Sequence, residues 1–287
     1  MNRLHTRDLD GDFSLEAWSD MKTDVLQLSV QGVPVRLACL RRRAERPPLV
    51  CLHGFGSTKE DYADLSLHPD FAERDLVFFD APGCGASEVD PPDALSIPFL
   101  VDVAVAACDA LGLGRFHLSG HSMGGLTGLI LAYSHRDRVL SFFDIEGNVA
   151  PEDCFLSRQI IDHPADTPEA FLESFGARVG ARPEYSSALY AAALPIKVSP
   201  TTAGPIFRSM VELSDSMPLM DMMTGLTCPR AFVYGEQNRH LSYLAQLKDA
   251  GVDITEIPHS GHFPMYSNAP ALWAAMADFL TKAEAGK

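Results

Sequence analysis

The chain has 287 residues, of which 46% are hydrophobic and 21% are charged. This length and composition exclude a fibre, a disulfide miniprotein and a disordered tail, and they predict either one large α/β domain with an insertion or two domains of about 150 residues. The 38 acidic side chains outnumber the 23 basic ones, which gives a net charge of −15. Because such a chain repels phosphate backbones and anionic lipid surfaces, we expect no nucleic-acid partner and no membrane partner.

The start of the chain gives no sign of export. Residues 1–8 are polar and mixed in charge, without the apolar run of a secretory signal. No uninterrupted apolar stretch reaches the about 18 residues that a membrane-spanning helix needs. We therefore expect a cytoplasmic protein. The six cysteines include no C-x-x-C pair and no Cys/His spacing typical of zinc, so we expect free thiols.

Short apolar runs bounded by Gly and Pro alternate with helix-period stretches, which is typical of βαβ units in a mostly parallel sheet. The last six predicted strands are expected to be buried, because most of their apolar runs are nearly continuous. The predicted strands cover residues 25–30, 35–40, 49–52, 76–79, 116–119, 140–145, 231–234 and 253–257. The predicted helices cover residues 97–111, 123–134, 243–250 and 270–285.

Between residues 148 and 225 the alternation stops, and the segment is rich in Pro, Met, Phe and Ser. Its prolines predict several short helices in place of one long helix. We expect this segment to be a helical cap, inserted into a core formed by residues 21–147 and 226–287. Residues 1–20 show no clear hydrophobic period, and we assign them to an N-terminal arm of unknown role.

A G-x-S-x-G motif, Gly120-His121-Ser122-Met123-Gly124, lies directly between a predicted strand and a predicted helix. In this context a sharp turn exposes the serine hydroxyl at the edge of the sheet. Glycines on both sides of the serine let the strand and the helix approach each other closely. The motif therefore predicts that Ser122 is a nucleophile.

A second glycine-bearing loop, residues 53–57, follows the predicted strand at residues 49–52. Backbone N–H groups in such a loop can bind an oxyanion. We predict that the N–H groups of Phe55 and Met123 form an oxyanion hole. For the side chain of His53 we expect only a structural hydrogen bond.

Four motifs resemble, in order and spacing, those of the α/β-hydrolase superfamily, from about residue 25 to the carboxyl terminus. They are His53-Gly54, Asp80-x-Pro82-Gly83-x-Gly85-x-Ser87, Gly120-x-Ser122-x-Gly124-Gly125 and Gly261-His262-Phe263-Pro264. The resemblance implies an α/β-hydrolase fold, with a mostly parallel eight-stranded sheet, flanking helices and the inserted helical cap. It also selects His262 as the general base over the nearby His259, and a histidine after the last strand can reach a nucleophile at the shared carboxyl edge of the sheet.

The acid is the point at which this chain departs from the family. In many members an Asp follows the penultimate strand as G-x-x-D, whereas here the segment is Gly235-Glu236-Gln237-Asn238. Glu146 ends the strand that follows the nucleophile helix, 24 residues after Ser122. Some hydrolases and haloalkane dehalogenases of the superfamily carry their acid there, and the family's nucleophile–acid–base order is kept. We predict Glu146 as the acid, with Glu236 and the neutral Asn238 as alternatives.

Together these residues predict a serine hydrolase that cleaves a carboxylic ester or lactone through an acyl-enzyme on Ser122. This serine chemistry requires neither a metal nor an organic cofactor. We expect a small, uncharged, apolar substrate. The predicted lining of its pocket includes His121, Phe155, Met217 and Phe263.

Other functions are compatible with the same motifs. A C–C bond hydrolase or an acyltransferase would use the same three residues, and a non-catalytic ligand receptor would retain only the fold. The motifs do not specify the substrate's chain length, and they leave the choice between a monomer and a homodimer open.

Overall fold

A nine-stranded sheet runs through residues 20–286, the part of the chain that the computed structural model describes. Its strands are β1 (Lys22–Val30), β2 (Val33–Arg42), β3 (Arg46–Leu52), β4 (Arg74–Phe79), β5 (Glu88–Val89), β6 (Phe116–His121), β7 (Val139–Ile145), β8 (Arg230–Gly235) and β9 (Asp253–Ile257). The strand order is β1-β2-β4-β3-β6-β7-β8-β9, with β5 beside β2. Six strands from β4 to β9 along this order pair in parallel, and β1, β2 and β5 pair antiparallel. The mostly parallel α/β sheet is thus confirmed.

Helices cover the sheet and fill the segment between β7 and β8. The α-helices within residues 20–286 are α1 (Ile97–Ala110), α2 (Met123–Ser134), α3 (Gln159–Asp162), α4 (Pro168–Gly180), α5 (Ser187–Lys197), α6 (Pro200–Ser216), α7 (Leu219–Thr224), α8 (Leu244–Asp249), α9 (Pro264–Ser267) and α10 (Ala269–Ala285). The four predicted helices are confirmed as α1, α2, α8 and α10, with ends that differ by at most one residue. The short α9 was not predicted, because four residues carry no helical period.

All eight predicted strands are present, and several extend by two or three residues into polar ends that hydrophobic patterning does not mark. Residues of β4, β6 and β7 are buried throughout, as expected for central parallel strands. The expectation for the last strand was wrong. Only Ile257 of β9 is buried, because β9 pairs with β8 alone and forms the edge of the sheet.

Five helices, α3 to α7, lie between β7 and β8, so the expectation of several helices in place of one is confirmed, although α6 is longer than expected. Prolines begin two of them, Pro168 in α4 and Pro200 in α6. Proline lacks a backbone N–H, and at the first position of a helix that N–H would have no partner within the helix. Pro205 behaves differently from the expectation, since it lies inside the 17-residue α6 without ending it. The buried face of α6, which includes Ile206, Phe207 and Met210, packs into the hydrophobic core.

Three further expectations concern membrane-spanning helices, the cysteines and the N-terminal arm. Within residues 20–286, no helix has the length and the apolar character needed to cross a membrane. All six cysteines are free thiols, as predicted. The N-terminal arm predicted for residues 1–20 lies outside the described residues, apart from Asp20.

Glu284, near the end of α10, joins the last helix to the amino-terminal ends of the central strands. Its carboxylate accepts hydrogen bonds from the guanidinium groups of Arg46, at 2.5 Å, and Arg74, at 2.9 Å. It also lies 3.1 Å from Nε2 of His117. Burial acts to raise the pKa of Glu284, but the two arginines outweigh it and lower that pKa to about 2. This ion pair therefore stabilises the docking of α10.

Substitution of Glu284 by Gln should destabilise the protein in a pH-dependent way. The change leaves the buried Arg74 without its ion-pair partner, so the free energy of unfolding should fall by about 2 kcal/mol near neutral pH, discounted for the partial exposure of Glu284. Because the pKa is lower in the folded chain than the ordinary 4.5, this stabilisation is complete above that value and is lost as the pH falls to about 2. Urea unfolding across this range measures it.

The matched control is Glu173→Gln, at an exposed position in the middle of α4, which should leave the unfolding midpoint unchanged. An equal loss of stability for Glu284→Gln at low and neutral pH would contradict the assignment to an ion pair.

Candidate active site

Ser122 lies in a sharp turn between β6 and α2. Its backbone has φ 52° and ψ −115°, a conformation that costs free energy for a residue with a side chain. A Cβ on Gly120 would lie 2.2 Å from the carbonyl oxygen of Gly124, and a Cβ on Gly124 would lie 2.2 Å from that of Leu52. Only glycine fits at these two positions, and the turn holds the Ser122 side chain at the carboxyl edge of the sheet.

Ser122, His262 and Glu146 form one chain of hydrogen bonds. Oγ of Ser122 lies 3.0 Å from Nε2 of His262, and Nδ1 of His262 lies 2.6 Å from Oε2 of Glu146. Ser122 follows β6, Glu146 follows β7 and His262 follows β9, so three nearby strands of the sheet bring these side chains to one edge. The carboxylate of Glu146 only accepts hydrogen bonds. Nδ1 of His262 is therefore the protonated nitrogen, and Nε2 is free to accept the hydroxyl proton of Ser122.

The carboxylate of Glu146 is buried and accepts two further hydrogen bonds. The backbone N–H of Gly235 donates to Oε1 at 2.7 Å, and the side-chain amide of Asn238 donates to Oε2 at 2.7 Å. The residue that stands at the family's usual acid position thus contacts the carboxylate. Glu236, the other alternative acid, lies beside His259 instead, with 3.9 Å between its Oε1 and Nδ1 of His259.

Two hydrogen bonds to the carbonyl oxygen of Gly54 fix the orientation of the peptide between Gly54 and Phe55. Its oxygen accepts hydrogen bonds from the N–H of Ser57, at 3.1 Å, and from Nδ1 of His53, at 2.8 Å. Since Nε2 of His53 accepts from the N–H of Ala81, His53 carries its proton on Nδ1. In a trans peptide the N–H points away from the carbonyl oxygen, so the N–H of Phe55 is directed away from these donors.

Neither predicted oxyanion donor is occupied within residues 20–286. The N–H groups of Phe55 and Met123 make no hydrogen bond there, and Met123 begins α2, whose amino terminus carries partial positive charge. An anion beside Ser122 would be stabilised by both.

His121 contacts the backbone of the loop that carries His262 and lines neither of the cavities beside that histidine. Its Nε2 donates to the backbone carbonyl of His262 at 2.7 Å. Burial first, and the neighbouring His262 second, lower the pKa of His121 well below its ordinary value. His121 is therefore a neutral residue that holds the backbone of His262.

Two small cavities flank His262, and both include Leu156 and Phe263 in their walls. The inner cavity, of about 10 Å³, is lined by Phe55, Ser122, Asp153, Leu156, Ser157, Tyr190, Phe207, Met210, His262 and Phe263. The outer cavity, of about 20 Å³, is lined by Phe155, Leu156, Val179, Arg182, Glu184, Ser187, Asn238, His262 and Phe263. Each has room for about one water molecule.

Two of the four residues predicted to line the pocket lie in the wall of a cavity beside His262, and the other two do not. Phe263 lines both cavities, and Phe155 lines the outer one with its ring centroid 4.9 Å from that of His262. His121 and Met217 line neither cavity, because His121 lies under the loop and Met217 packs against the hydrophobic core at the end of α6.

Tyr190 was missed by sequence reasoning. Its hydroxyl donates to the carbonyl oxygen of Phe55 at 2.9 Å, and its ring stacks on Phe263 at 4.2 Å. Helix α5 thus contacts both the Phe55 loop and the His262 loop. No motif marks a tyrosine 135 residues from its partner.

Comparison with known proteins gives a family and a fold. Residues 47–218 match the sequence model described as alpha/beta hydrolase fold. Among curated relatives, RutD of Pseudomonas savastanoi pv. phaseolicola, which carries the provisional name of a carbamate hydrolase, is 34% identical over 91 residues, or 32% of this chain and 35% of that protein. The proline iminopeptidase of Lactobacillus crispatus is 34% identical over 92 residues, or 31% of each chain. These alignments span about a third of the relatives' length.

Solved structures match over almost the whole chain. An N-acyl homoserine lactonase, AidH, has a TM-score of 0.70 and 18% identity, with 92% of this chain and 97% of that chain covered. A thermophilic esterase from Thermogutta terrifontis has a TM-score of 0.70 and 20% identity, with 91% and 99% covered. At such identities the likeness concerns the fold. The family model covers more than half of the chain, and its fold description agrees with the sheet, so this chain belongs to the α/β-hydrolase fold family.

Proposed function

We propose that this chain is a serine hydrolase that cleaves a carboxylic ester or lactone. The observation that carries the proposal is the hydrogen-bonded series from Ser122 through His262 to Glu146. A serine in this turn favours acyl chemistry, because hydrolases of this fold that open epoxides or remove halides need a carboxylate nucleophile there. Two curated relatives also carry the names of hydrolases, which supports hydrolysis as the reaction class.

In the proposed mechanism, Nε2 of His262 accepts the proton of the Ser122 hydroxyl while the serine oxygen attacks the acyl carbon. The N–H groups of Phe55 and Met123 stabilise the tetrahedral oxyanion. Protonated His262 then donates its proton to the leaving alkoxide. Water attacks the acyl-enzyme with His262 as base, which releases the acid and regenerates Ser122. Glu146 stabilises the positive charge that His262 carries between these steps.

We further propose that residues 148–225 form a cap over this site and help to choose the acyl group. Six residues of this segment contribute to the wall of the inner cavity, namely Asp153, Leu156, Ser157, Tyr190, Phe207 and Met210. Apolar aromatic and thioether side chains favour a compact, uncharged acyl group, and Met210 can change its side-chain conformation to admit one.

Replacement of Ser122 by Ala removes the proposed nucleophile. We expect hydrolysis of p-nitrophenyl butanoate to fall by about 10³-fold or more, and labelling by an organophosphonate to disappear. Ser216→Ala, an exposed change in α6, should leave both unchanged. Persistent phosphonate labelling of another residue in the Ser122 variant would contradict the assignment, as would a turnover that survives the change.

Replacement of Glu146 by Gln tests the acid. The amide cannot stabilise the imidazolium by charge, so kcat should fall by about 10³- to 10⁴-fold. Glu236→Gln is the matched control, and we expect its kcat to stay within about twofold of the wild type, because Glu236 lies beside His259. A larger loss for the Glu236 variant than for the Glu146 variant would identify Glu236 as the acid.

Replacement of Asn238 by Asp should move the pH profile. An aspartate oxygen would take the place of the amide nitrogen, which lies 2.7 Å from Oε2 of Glu146. When it ionises, this second carboxylate adds negative charge close to His262, and that charge stabilises the protonated imidazole. Since the base must be neutral to act, the acidic limb of kcat/KM should move up by about one pH unit. Asn238→Ala should lower kcat without this upward movement, and an unmoved limb in the Asp variant would refute the argument.

A further inference from the structure

Ser157 has an unusual position in the wall of the inner cavity. It lies in the turn between the 3-10 helix Pro151–Phe155 and α3, and only 2% of it is exposed. It lines the cavity together with Ser122 and His262, yet its hydroxyl has no hydrogen-bond partner within residues 20–286. A buried polar group without a hydrogen-bond partner lowers the stability of the fold. Its position beside the proposed nucleophile suggests that the hydroxyl of Ser157 binds a ligand.

The other polar side chains in this wall already have partners. Ser122 and His262 bind each other, and the hydroxyl of Tyr190 donates to the carbonyl oxygen of Phe55. Asp153 accepts the hydroxyl of Tyr243 at 2.6 Å and the N–H groups of residues 149 and 150, each at 2.8 Å. Among the described lining residues, the hydroxyl of Ser157 is therefore the one polar side-chain group left for a ligand.

The two cavities differ in exposure, which indicates where each half of an ester lies. The outer cavity is lined by Phe155, Arg182 and Glu184, whose side chains are partly exposed to solvent. The inner cavity is enclosed by buried side chains such as Phe207 and Met210. Each cavity holds only about one water molecule, so a substrate must displace the side chains that flank it. Because the alcohol leaves first while the acyl group stays bound to serine, the more exposed outer side suits the alcohol and the enclosed inner side suits the acyl group.

The chemistry of the inner wall restricts what the acyl group can carry. No lysine or arginine side chain among the described residues lines the inner cavity, so a carboxylate or phosphate there would be buried without a permanent counter-ion. A neutral hydroxyl or keto oxygen needs no counter-ion, and the serine hydroxyl can donate to it.

We propose that Ser157 is a specificity-determining residue that hydrogen-bonds a neutral oxygen substituent on a short acyl chain. The preferred substrates are then the esters or lactones of short hydroxy- or oxo-acids, ahead of those of plain alkanoic acids. This inference rests on the proposed ester hydrolysis at Ser122.

The test compares p-nitrophenyl butanoate with its 2-hydroxy and 3-hydroxy derivatives. For the wild-type protein, kcat/KM should be about tenfold higher for at least one hydroxylated ester. Ser157→Ala should abolish this preference and change kcat/KM for the plain butanoate by less than about twofold. Ser157→Cys, which keeps the shape of the side chain but is slightly larger and has a weak donor, should also lose the preference, whereas Ser216→Ala should retain it.

A second readout separates recognition from a structural role. Because the hydroxyl of Ser157 has no partner, Ser157→Ala should unfold at the same temperature as the wild type or at a higher one. A lower unfolding temperature, the absence of a preference in the wild type, or a preference that survives in Ser157→Ala would overturn the inference. In each of these cases hydrolysis of the plain butanoate would still support the proposed function. No hydrolysis of any of the three esters would refute the proposed function and this inference with it.

Discussion

The buried carboxylate of Glu146 requires donors, and three different parts of the chain supply them. His262 comes from the loop after β9, Gly235 from the end of β8 and Asn238 from the turn that follows. A carboxylate withdrawn from water is stable only when such donors surround it. Because β7, β8 and β9 are neighbours in the sheet, the loops that follow them meet at the carboxylate of Glu146. The orientation of His262 towards Ser122 depends on its hydrogen bond to this carboxylate.

The proposed site stores strain that the rest of the fold must support. Ser122 and Glu146 both have positive φ angles, of 52° and 48°, although neither is glycine. Ser157 adds a buried hydroxyl without a partner. Such features persist only where the surrounding packing fixes them, and the fully buried strands β6 and β7 provide that packing. These features lower the free energy of unfolding, which is consistent with selection for catalysis and for substrate recognition at the same positions.

The sequence predicted those parts of the site that depend on local pattern or on strand order. Ser122 is predicted as the nucleophile because its motif joins a strand to a helix, and Glu146 as the acid because the strand that ends there is expected beside the strand of the nucleophile. Contacts made by residues 148–225 could not be predicted, since Tyr190 and Ser157 lie in segments without a motif and meet their surroundings through long-range packing. The edge position of β9 was missed for the same reason, because apolar composition does not reveal how many neighbours a strand has.

The central claim is that Ser122 carries the acyl group during turnover. Acid quenching of the protein within the first turnovers of p-nitrophenyl butanoate, followed by mass spectrometry of its peptides, tests this directly. The account predicts a butanoyl adduct on the peptide that contains Ser122, formed together with the first release of p-nitrophenol. An acyl group on a different residue, or complete hydrolysis with no acylated protein at any quench time, would contradict it.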